Sequence, residues 1–320
     1  MINNDMMEIR NILMALKNDP NTKIDYKKNL DEFWYFINER HNAYYKRFVL
    51  KQPAPWTNDR ILLHYKFTNV YRELDRGTVY YLREIKNIPN TVEDRLFPTI
   101  AYRLLNRVET FEKIGYIPIF DTYNRHTLEF DLQKIKDKYE AVFTSAHSLP
   151  PAPKGGTKID GYILMLDKLE KKYLNLVDEL NKCTSLEKVW ETVTSVEKVG
   201  PFYGYEIICD LILTKTIPFT EDDWVNPGPG CKQGIDVIFK KNQRETYVDA
   251  IKKLRSEQRE HFKRLGLDFK GYKNPGYELS LRSIEHSLCE YMKYWKVSRG
   301  LGRARLHFKP ISDNTYYDNK

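Results

Sequence analysis

The sequence predicts a mainly α-helical fold arranged in two lobes. Apolar residues recur at helical spacing in several segments, strand-like alternation is scarce, and Pro- and Gly-rich breaks separate the helical stretches. The chain has 320 residues, 41% of them hydrophobic, with 15 Gly and 15 Pro. That composition is ordinary for a globular protein, and the length allows one large core or two modest ones.

A predicted helix follows the Pro-rich break at residues 53–55. Thr57 has a side-chain oxygen that can accept a hydrogen bond from the first helical turn, so we predict it as the N-cap. The helix is indicated by apolar residues on an approximately helical period. These residues are Ile61, Leu62, Tyr65 and Val70.

The boundary between the lobes is predicted in residues 148–156, Ser-Leu-Pro-Pro-Ala-Pro-Lys-Gly-Gly. Such a cluster of Pro and Gly interrupts regular structure and is typical of a hinge or linker. We therefore predict an N-terminal lobe over residues 1–150 and a C-terminal lobe over residues 151–320. Beyond the boundary, residues 162–180 have the pattern of an amphipathic helix.

The chain carries 52 Lys and Arg against 44 Asp and Glu, a formal net charge of +8. This balance favours a polyanionic partner, although many cytosolic proteins of similar charge bind no nucleic acid. The four cysteines are not in C-x-x-C spacing, so neither a zinc site nor a disulfide framework is indicated. No signal peptide and no apolar run of membrane-spanning length is found, so we expect a cytoplasmic protein with no membrane partner.

Basic residues dominate between positions 40 and 86, where ten Lys or Arg occur against four acids. Arg72 and Arg76 are four residues apart, which places them on one predicted helical face with Asp75 beside them. Guanidinium groups at that spacing can hold a phosphate or a diphosphate. A solvated helix face with i,i+4 ion pairs explains the same pattern, and the sequence alone leaves both explanations open.

A sharp turn through Gly200-Pro201 is predicted between two helices. Pro suits the first turn of the second helix because its missing N–H would have no partner there, and the free N–H groups of that turn can bind a phosphate. This pattern resembles the helix-hairpin-helix element of DNA glycosylases, in which the hairpin holds the DNA backbone and a catalytic Asp follows downstream. At the corresponding distance here lies Asp222. An ordinary αα-turn is the alternative.

The second helix of this hairpin places Glu206 and Asp210 four residues apart. We predict that both lie on the face opposite Ile207, Ile208 and Leu211. Paired carboxylates can orient an amine or accept its proton. Exposed charges, or acids that interact with the helix dipole, explain the pair equally well.

Two later segments have residues suited to binding. The loop Gly228-Pro229-Gly230 lacks the Gly-Lys-Ser/Thr of a Walker A motif, but its tight backbone can approach a substrate closely. In the predicted helix over residues 281–294, His286, Glu290 and Lys293 share one face. No acid occurs between Lys293 and Lys309, and this basic stretch predicts contact with a DNA backbone. Its basic residues are Lys296, Arg299, Arg303, Arg305 and Lys309.

Five motifs in a fixed order resemble one known family. They are Trp56-Thr57-x-Asp59, Lys66-Phe67-Thr68-Asn69-Val70-Tyr71-Arg72-x-x-Asp75-Arg76, Gly200-Pro201-Phe202 with Glu206 to Asp210, Gly228-Pro229-Gly230, and Glu285-His286-x-Leu288-Cys289-Glu290-x-x-Lys293-Tyr294. The family is the α-glutamyl/putrescinyl-thymine pyrophosphorylase group. It includes phage amino acid:DNA transferases and the helical domain associated with 5-hydroxymethyl-deoxyuridine DNA kinases.

The resemblance implies a fold similar to the helix-hairpin-helix DNA glycosylases and a role in thymine hypermodification. In such enzymes an amine from an amino acid or a polyamine displaces pyrophosphate from pyrophosphorylated 5-hydroxymethyluracil in double-stranded DNA. No cofactor is implied other than a magnesium ion that travels with the pyrophosphate. No P-loop Lys-Ser/Thr is found, so the chain is expected to perform the transfer and to work with a separate DNA kinase. A phage protein in the host cytoplasm is implied, or a nuclear protein if the source is a eukaryote.

The resemblance also implies roles for individual residues. Candidates for the catalytic carboxylates are Asp210, Glu206 and Asp222, and candidates for pyrophosphate binding are Arg72, Arg76, Lys66 and Arg47. Candidates for binding the substrate or its base are Trp56, Asp59, Asn69, Glu285, Glu290 and Lys293. Candidates for contact with the DNA backbone are Gly200, Phe202, Arg299, Arg303 and Arg305.

Two other functions remain open at this stage. One is a glycosylase-like enzyme that excises a modified pyrimidine, with Asp222 as its catalytic carboxylate. The other is a non-catalytic DNA-binding partner of a base-modifying kinase, which would bind DNA with strong salt dependence and perform no chemistry on the base.

Overall fold

The computed structural model describes residues 24–139, 141–144, 153–272, 278–302 and 307–308. This part of the chain is mainly α-helical, as predicted, and its only β pairing is an isolated bridge between Tyr65 and His307. In chain order the helices are α1 (Tyr26–Tyr44), α2 (Arg60–His64), α3 (Arg76–Glu84), α4 (Val92–Leu105), α5 (Val108–Ile114), α6 (Arg125–Tyr139), α7 (Lys158–Asn181), α8 (Leu186–Thr194), α9 (Pro201–Leu213), α10 (Pro229–Ile238), α11 (Tyr247–Arg264) and α12 (Leu281–Ser298).

Short irregular turns interrupt the α-helices. A π-helical turn continues α1, and three 3₁₀ turns occur in the described residues. Their bounds are Tyr45–Val49 for the π turn and Arg72–Leu74, Phe120–Thr122 and Lys241–Gln243 for the 3₁₀ turns. None of the described helices combines the length and the apolar character needed to cross a bilayer.

The chain forms two compact units, and they are not the lobes predicted from the sequence. The first unit combines Met1–Asp75 with Val225–Lys320, and the second is Arg76–Trp224. The predicted boundary at residues 150 and 151 lies outside the described residues. Both of the described flanks of that segment belong to the second unit, because α6 packs against α7.

The core of the first unit is built by α1, α10, α11 and α12. Helix α1 begins after Asp25, whose carboxylate accepts a hydrogen bond from the Lys28 N–H at 3.0 Å. Apolar residues at helical spacing, Phe33 and Ile37 among them, are fully buried on one side of α1. Tyr291 of α12 fixes the pair, because its hydroxyl donates to the Asn29 carbonyl at 2.9 Å.

Two glycines allow α10 and α12 to pack at very short distance. A Cβ atom at Gly234 would lie 2.5 Å from the backbone oxygen of Leu288, and one at Gly230 would lie 2.5 Å from the Sγ of Cys289. The two glycines are four residues apart and therefore share one face of α10. Only a residue without a side chain fits at these positions, so the glycines determine how close α12 comes to the Gly228 loop.

The core of the second unit is built by α4, α7, α8 and α9. Helix α7 begins with a capping box, in which Thr157 and Asp160 exchange hydrogen bonds with each other's backbone N–H groups. Tyr173 of α7 connects to α4, because its hydroxyl accepts from the Phe97 N–H at 3.0 Å. The predicted amphipathic helix over residues 162–180 is therefore present as α7, Lys158–Asn181.

Asp210 lies inside this core, so the prediction that it shares an outward face with Glu206 is wrong. Its side chain is fully buried, and both of its carboxylate oxygens accept hydrogen bonds from Arg103, one of them from Nη2 at 2.8 Å. Arg103 also donates to Thr78 and Asn106. Helical periodicity misplaced Asp210 because it does not show Arg103 on α4, which offsets the cost of burying the charge of Asp210.

The helix predicted after residue 57 is shorter than expected and has a different cap. Asp59 is the N-cap, and its Oδ1 accepts from the Ile61 and Leu62 N–H groups. Thr57 instead accepts from the Asp59 N–H and donates to Glu39. Helix α2 ends at His64, so Tyr65 and Val70 belong to the irregular segment that follows.

We predict that Gly234→Val lowers the free energy of unfolding, because the new side chain collides with the backbone of Leu288. Overpacking of this kind costs about 1–3 kcal/mol. Lys232→Val is the matched control, since it introduces the same residue on the exposed side of α10. Chemical denaturation of both variants measures the difference. Equal stability of the two variants would contradict the close packing of α10 and α12.

We also predict that Asp210→Ala destabilises the protein by about 3–5 kcal/mol, because Arg103 would keep a buried charge without its partner. Asp178→Ala replaces an exposed helical aspartate in the same unit and is the control. Thermal and chemical denaturation measure both. A loss below about 0.5 kcal/mol, which is typical of surface sites, would show that the buried ion pair does not support the fold.

Candidate functional site

Six charged side chains lie together in the interior of the first unit. We call them the charged cluster: Arg40, Arg72, Asp75, Arg282, Glu285 and Glu290. All are buried except Asp75, which is partly buried. Charges are rarely buried unless they are paired, because the loss of hydration is costly. A concentration of buried charge inside a small helical unit therefore marks a candidate functional site.

The segment between Lys66 and Asp75 binds two carboxylates through two consecutive peptide groups. The Thr68 N–H donates to Glu290 Oε2 at 3.2 Å, and the Asn69 N–H donates to Asp75 Oδ1 at 2.8 Å. The Asn69 side chain closes the segment by donating to the Leu74 carbonyl at 2.6 Å. Glu290 of α12 and Asp75 therefore lie beside consecutive amides of the same short loop.

Arg40 enters the cluster from α1. Its Nη2 donates to the Ser287 Oγ at 2.9 Å, and its guanidinium lies over the Phe36 ring. Ser287 is one helical turn before Glu290 on α12. The Nε and Nη1 groups of Arg40 are buried, and no atom of the described residues accepts a hydrogen bond from them. One edge of this guanidinium is therefore buried without a hydrogen-bond acceptor among the described residues.

Electrostatic interactions join Arg40 to the two carboxylates. Burial lowers the pKa of Arg40 to about 10, although Glu290 and Asp75 attract its charge. Burial also raises the pKa of Asp75 to about 6, against the Asn69 N–H and Arg72, which both lower it. An aspartate with this pKa is a stronger base than usual and still ionised at neutral pH.

The other end of the cluster supports the Gly228 loop. Glu285 accepts from the Gly228 N–H at 3.2 Å and lies 3.5 Å from Nη1 of Arg282. Gly228 is also the N-cap of α10. The Gly-Pro-Gly loop singled out in the sequence is therefore held against the buried acid of α12.

Three partly exposed residues border the cluster. His286 and Lys293 lie on the helical face predicted for α12, and Thr68 lies in the loop opposite. Lys293, with 44% of its side chain exposed, pairs with Glu290 Oε1 at 2.5 Å. His286 forms a 2.5 Å hydrogen bond with the Thr68 hydroxyl. His286, Glu290 and Lys293 are thus on one face, as expected. This border gives the buried charges a polar edge.

The four residues predicted to bind pyrophosphate have different surroundings. Arg72 lies in a 3₁₀ turn, and Asp75 after it is extended, so Arg72 and Arg76 are not on one continuous helix. Arg76 begins α3 of the second unit and pairs there with Glu109 at 2.6 Å. Arg47 lies over the rings of Phe48 and Trp56, and Lys66 is exposed. Only Arg72 belongs to the charged cluster.

The residues predicted to bind the substrate divide into two sets. Glu285, Glu290 and Lys293 belong to the charged cluster or its border. Trp56 and Asp59 form hydrogen bonds with residues outside the charged cluster. The Trp56 indole donates to the Gln52 carbonyl at 2.8 Å, and Asp59 caps α2 and accepts from the Tyr294 hydroxyl at 2.7 Å. Asn69 organises the loop that holds Asp75.

The predicted hairpin exists as α8, a turn and α9. Helix α9 begins at Pro201 with Gly200 as its N-cap, and Phe202 is 49% exposed. A Cβ atom at Gly204 would lie 2.4 Å from Cγ2 of Thr194, so the two helices pack closely. Of the other predicted carboxylates in this unit, Glu206 is partly exposed and Asp222 is exposed.

Two basic residues of the stretch after Lys293, Lys296 and Arg299, lie in the described part of the chain, and the predicted contact of this stretch with DNA stays a prediction. Arg299 donates to Glu32 Oε2 at 3.0 Å and to Asn29 Oδ1 at 2.8 Å, so it is fixed to α1 within the first unit. Arg303 and Arg305 lie outside the described residues.

Arg40 was not singled out from the sequence. It follows Phe33 and Phe36 by seven and four residues, which places it on the apolar side of α1. A charged residue at a position that periodicity assigns to the core is the signal that would have identified it. The same signal applies to Arg282, which is buried at the start of α12.

Comparison with known proteins assigns the family. The sequence model of the family described as "5-hmdU DNA kinase, helical domain" matches residues 27–301. The chain is 32% identical over 299 residues to a protein of Bacillus phage SP10 named "5-hmdU DNA kinase". This match covers 85% of the chain and 46% of the relative, so the chain spans about half the length of that relative.

No solved structure matches the chain. The family match includes every residue of the charged cluster and also the hairpin of the second unit. It covers most of the chain, and the relative from Bacillus phage SP10 agrees with it. The chain therefore belongs to the family of the helical domain of 5-hmdU DNA kinases.

Proposed function

We propose that this chain modifies 5-hydroxymethyluracil in DNA by transferring an amine onto the pyrophosphorylated base. The amine nitrogen bonds to the 5-methylene carbon as the bond between that carbon and the pyrophosphate oxygen breaks. Pyrophosphate leaves with the bonding electrons, and the amine loses a proton. The family match supports a role in the chemistry of this base, and the transfer step is our proposal.

The charged cluster is the observation that favours transfer. The reaction requires positive charge near the leaving pyrophosphate and a carboxylate near the attacking amine. Arg72 and Arg282 provide buried guanidinium groups, while Asp75 and Glu290 provide carboxylates. Both kinds of group occur in one unit, in the segments that carry the ordered motifs.

In the second unit, the hairpin is our candidate for contact with the DNA backbone. Nothing lies within 4 Å of a Cβ atom built at Gly200, so the start of α9 is open to a phosphate. Phe202 is exposed beside it, where an aromatic ring can contact a base or sugar. A base inside the duplex must leave the stack before it can enter any site, and this costs a few kcal/mol.

A second candidate function is a DNA-binding part that works with a kinase. The relative from Bacillus phage SP10 is named a kinase, and the chain matches about half of its length. On this proposal the chain binds DNA and performs no chemistry. Pyrophosphate release in the presence of an amine separates the two, because a binding module releases none.

We predict that Arg72→Ala abolishes the release of pyrophosphate from DNA that contains pyrophosphorylated 5-hydroxymethyluracil. Without the guanidinium, the charge that develops on the leaving group loses a buried cation. The measurement is a coupled pyrophosphate assay with mixed amino acids and polyamines. Arg259→Ala is the control, since this arginine is 78% exposed and pairs only with Glu278 at the surface among the described contacts.

Circular dichroism and the melting temperature confirm that the Arg72 variant is folded. Arg72→Lys keeps the charge but not the planar donor pattern, so we expect partial activity. Wild-type rates for a folded Arg72→Ala variant would remove Arg72 from the mechanism. Formation of abasic sites instead of an adduct would favour the glycosylase-like function.

A further inference from the structure

Two adjacent aliphatic side chains, Val49 and Leu50, are exposed at the surface of the first unit. Their exposed fractions are 51% and 49%. Val49 ends the π-helical turn that continues α1, Leu50 is its C-cap, and every residue from 49 to 55 is exposed. Single exposed apolar residues are ordinary, but two neighbours at the end of a helix form a projecting apolar surface. We call Val49 and Leu50 the apolar tip.

Hydrogen bonds on both sides of the apolar tip hold its backbone in place. The Leu50 N–H donates to the Tyr45 carbonyl at 2.9 Å, and the Gln52 N–H donates to the Lys46 carbonyl at 2.9 Å. The Trp56 indole in turn donates to the Gln52 carbonyl at 2.8 Å. The tip therefore lies on a closed turn, so little conformational freedom is lost when it enters a partner.

The charge around the apolar tip is positive. Between residues 45 and 66 the chain has five Lys or Arg and one acid. That acid, Asp59, is the N-cap of α2 and also accepts from the Tyr294 hydroxyl. Lys46 precedes Leu50 by four residues in the helical turn, which places a cation near the apolar side chains. Charge complementarity therefore favours a polyanion as the partner.

The aromatic rings next to the apolar tip are engaged within the first unit. The Arg47 guanidinium lies 4.6 Å from the ring centroids of both Phe48 and Trp56. Phe308 also packs edge-on against Trp56. Proteins that bind single strands stack successive bases on aromatic rings. The surface presented here is aliphatic instead, which favours a duplex over a single strand.

The small size of the apolar tip distinguishes between classes of partner. A stable protein interface buries about 800 Å² on each partner, far more than two side chains provide. Segments that bind lipid surfaces use the long apolar face of a whole helix. Architectural DNA-binding proteins, in contrast, insert one or a few aliphatic side chains from a basic surface between base pairs. Two aliphatic residues among cations match this last arrangement.

We propose that Val49 and Leu50 form a wedge that enters double-stranded DNA between neighbouring base pairs. The aliphatic side chains replace part of the stacking that is lost when the base pairs separate, and nearby cations such as Lys46 neutralise phosphates. The wedge thereby lowers the cost of moving a base out of the stack. This inference rests on the proposed function in that DNA is the partner, and it requires no chemistry on the base.

Unwinding of DNA by the full-length chain tests the inference, because a side chain inserted between base pairs untwists the duplex. A closed circular DNA with 5-hydroxymethyluracil in place of thymine is saturated with the chain. It is then relaxed by a topoisomerase and freed of protein. We expect a lower linking number than that of the same circle relaxed alone. The reaction contains no amine and no pyrophosphorylated base, so turnover does not contribute.

A double variant, Val49→Ala with Leu50→Ala, removes the wedge and leaves the cations in place. We expect it to lose the unwinding at saturation. We also expect its affinity for the duplex at fixed salt to fall about tenfold or more, because less apolar surface is buried. Leu174→Ala is the matched control, since Leu174 is 53% exposed on α7 of the second unit. Melting curves check that both variants, which change only exposed side chains, are folded.

The outcomes separate the inference from the proposed function. Unwinding that the double variant loses and the Leu174 variant keeps supports the wedge. Equal unwinding by both variants, or no unwinding by the wild-type chain, overturns it. Sedimentation with vesicles of phosphatidylglycerol and phosphatidylcholine that only the double variant loses, with duplex binding unchanged, overturns it in favour of a lipid surface. If the wedge is confirmed but no nitrogen reaches the DNA, the inference stands and the proposed function falls.

Discussion

The contact on which the charged cluster depends is the donation of hydrogen bonds from the consecutive N–H groups of Thr68 and Asn69 to Glu290 and Asp75. It joins an irregular loop to α12 and fixes two carboxylates relative to each other. Helix α12 is itself set by its close packing on α10, where Gly230 and Gly234 leave no room for a side chain. The close packing at these two glycines therefore positions the buried charges that α12 carries.

The two units contain buried arginines with different surroundings. Arg103 donates from all three of its nitrogens, and Asp210 balances its charge. Every donor nitrogen of this arginine therefore has an acceptor within the protein. Arg40 has one hydrogen bond and two nearby carboxylates that bind other groups. The difference separates an ion pair that uses every donor of its arginine from a buried guanidinium that does not, and Asp75 replaces Asp210 as the base that we propose.

The sequence predicted the local structure where periodicity and capping act within one segment. The mainly helical fold, the helix α7 and the start of α9 at Pro201 are of this kind. It failed where a distant partner decides the outcome. Asp210 is buried because it pairs with Arg103 on α4. Arg72 and Arg76 do not share a helical face, despite their i,i+4 spacing, because the chain is extended at Asp75.

The candidate site was only partly accessible from the sequence for the same reason. Glu290 and Lys293 were singled out because they share one face of a strongly periodic helix with His286, and Glu285 was singled out through the family motif. Arg40 was missed because its hydrogen-bond partner, Ser287, is 247 residues away in the chain. Spacing within one helix does not show such a contact.

The most direct test of the transfer of an amine to the base is mass spectrometry of nucleosides after reaction. DNA with pyrophosphorylated 5-hydroxymethyluracil is incubated with the chain and a mixture of ¹⁵N-labelled amino acids and polyamines, then digested completely. We predict a thymidine derivative that contains the label and has lost the pyrophosphate. Recovery of unlabelled 5-hydroxymethyl-2′-deoxyuridine and its pyrophosphate alone, or of abasic sites, would contradict the proposed function.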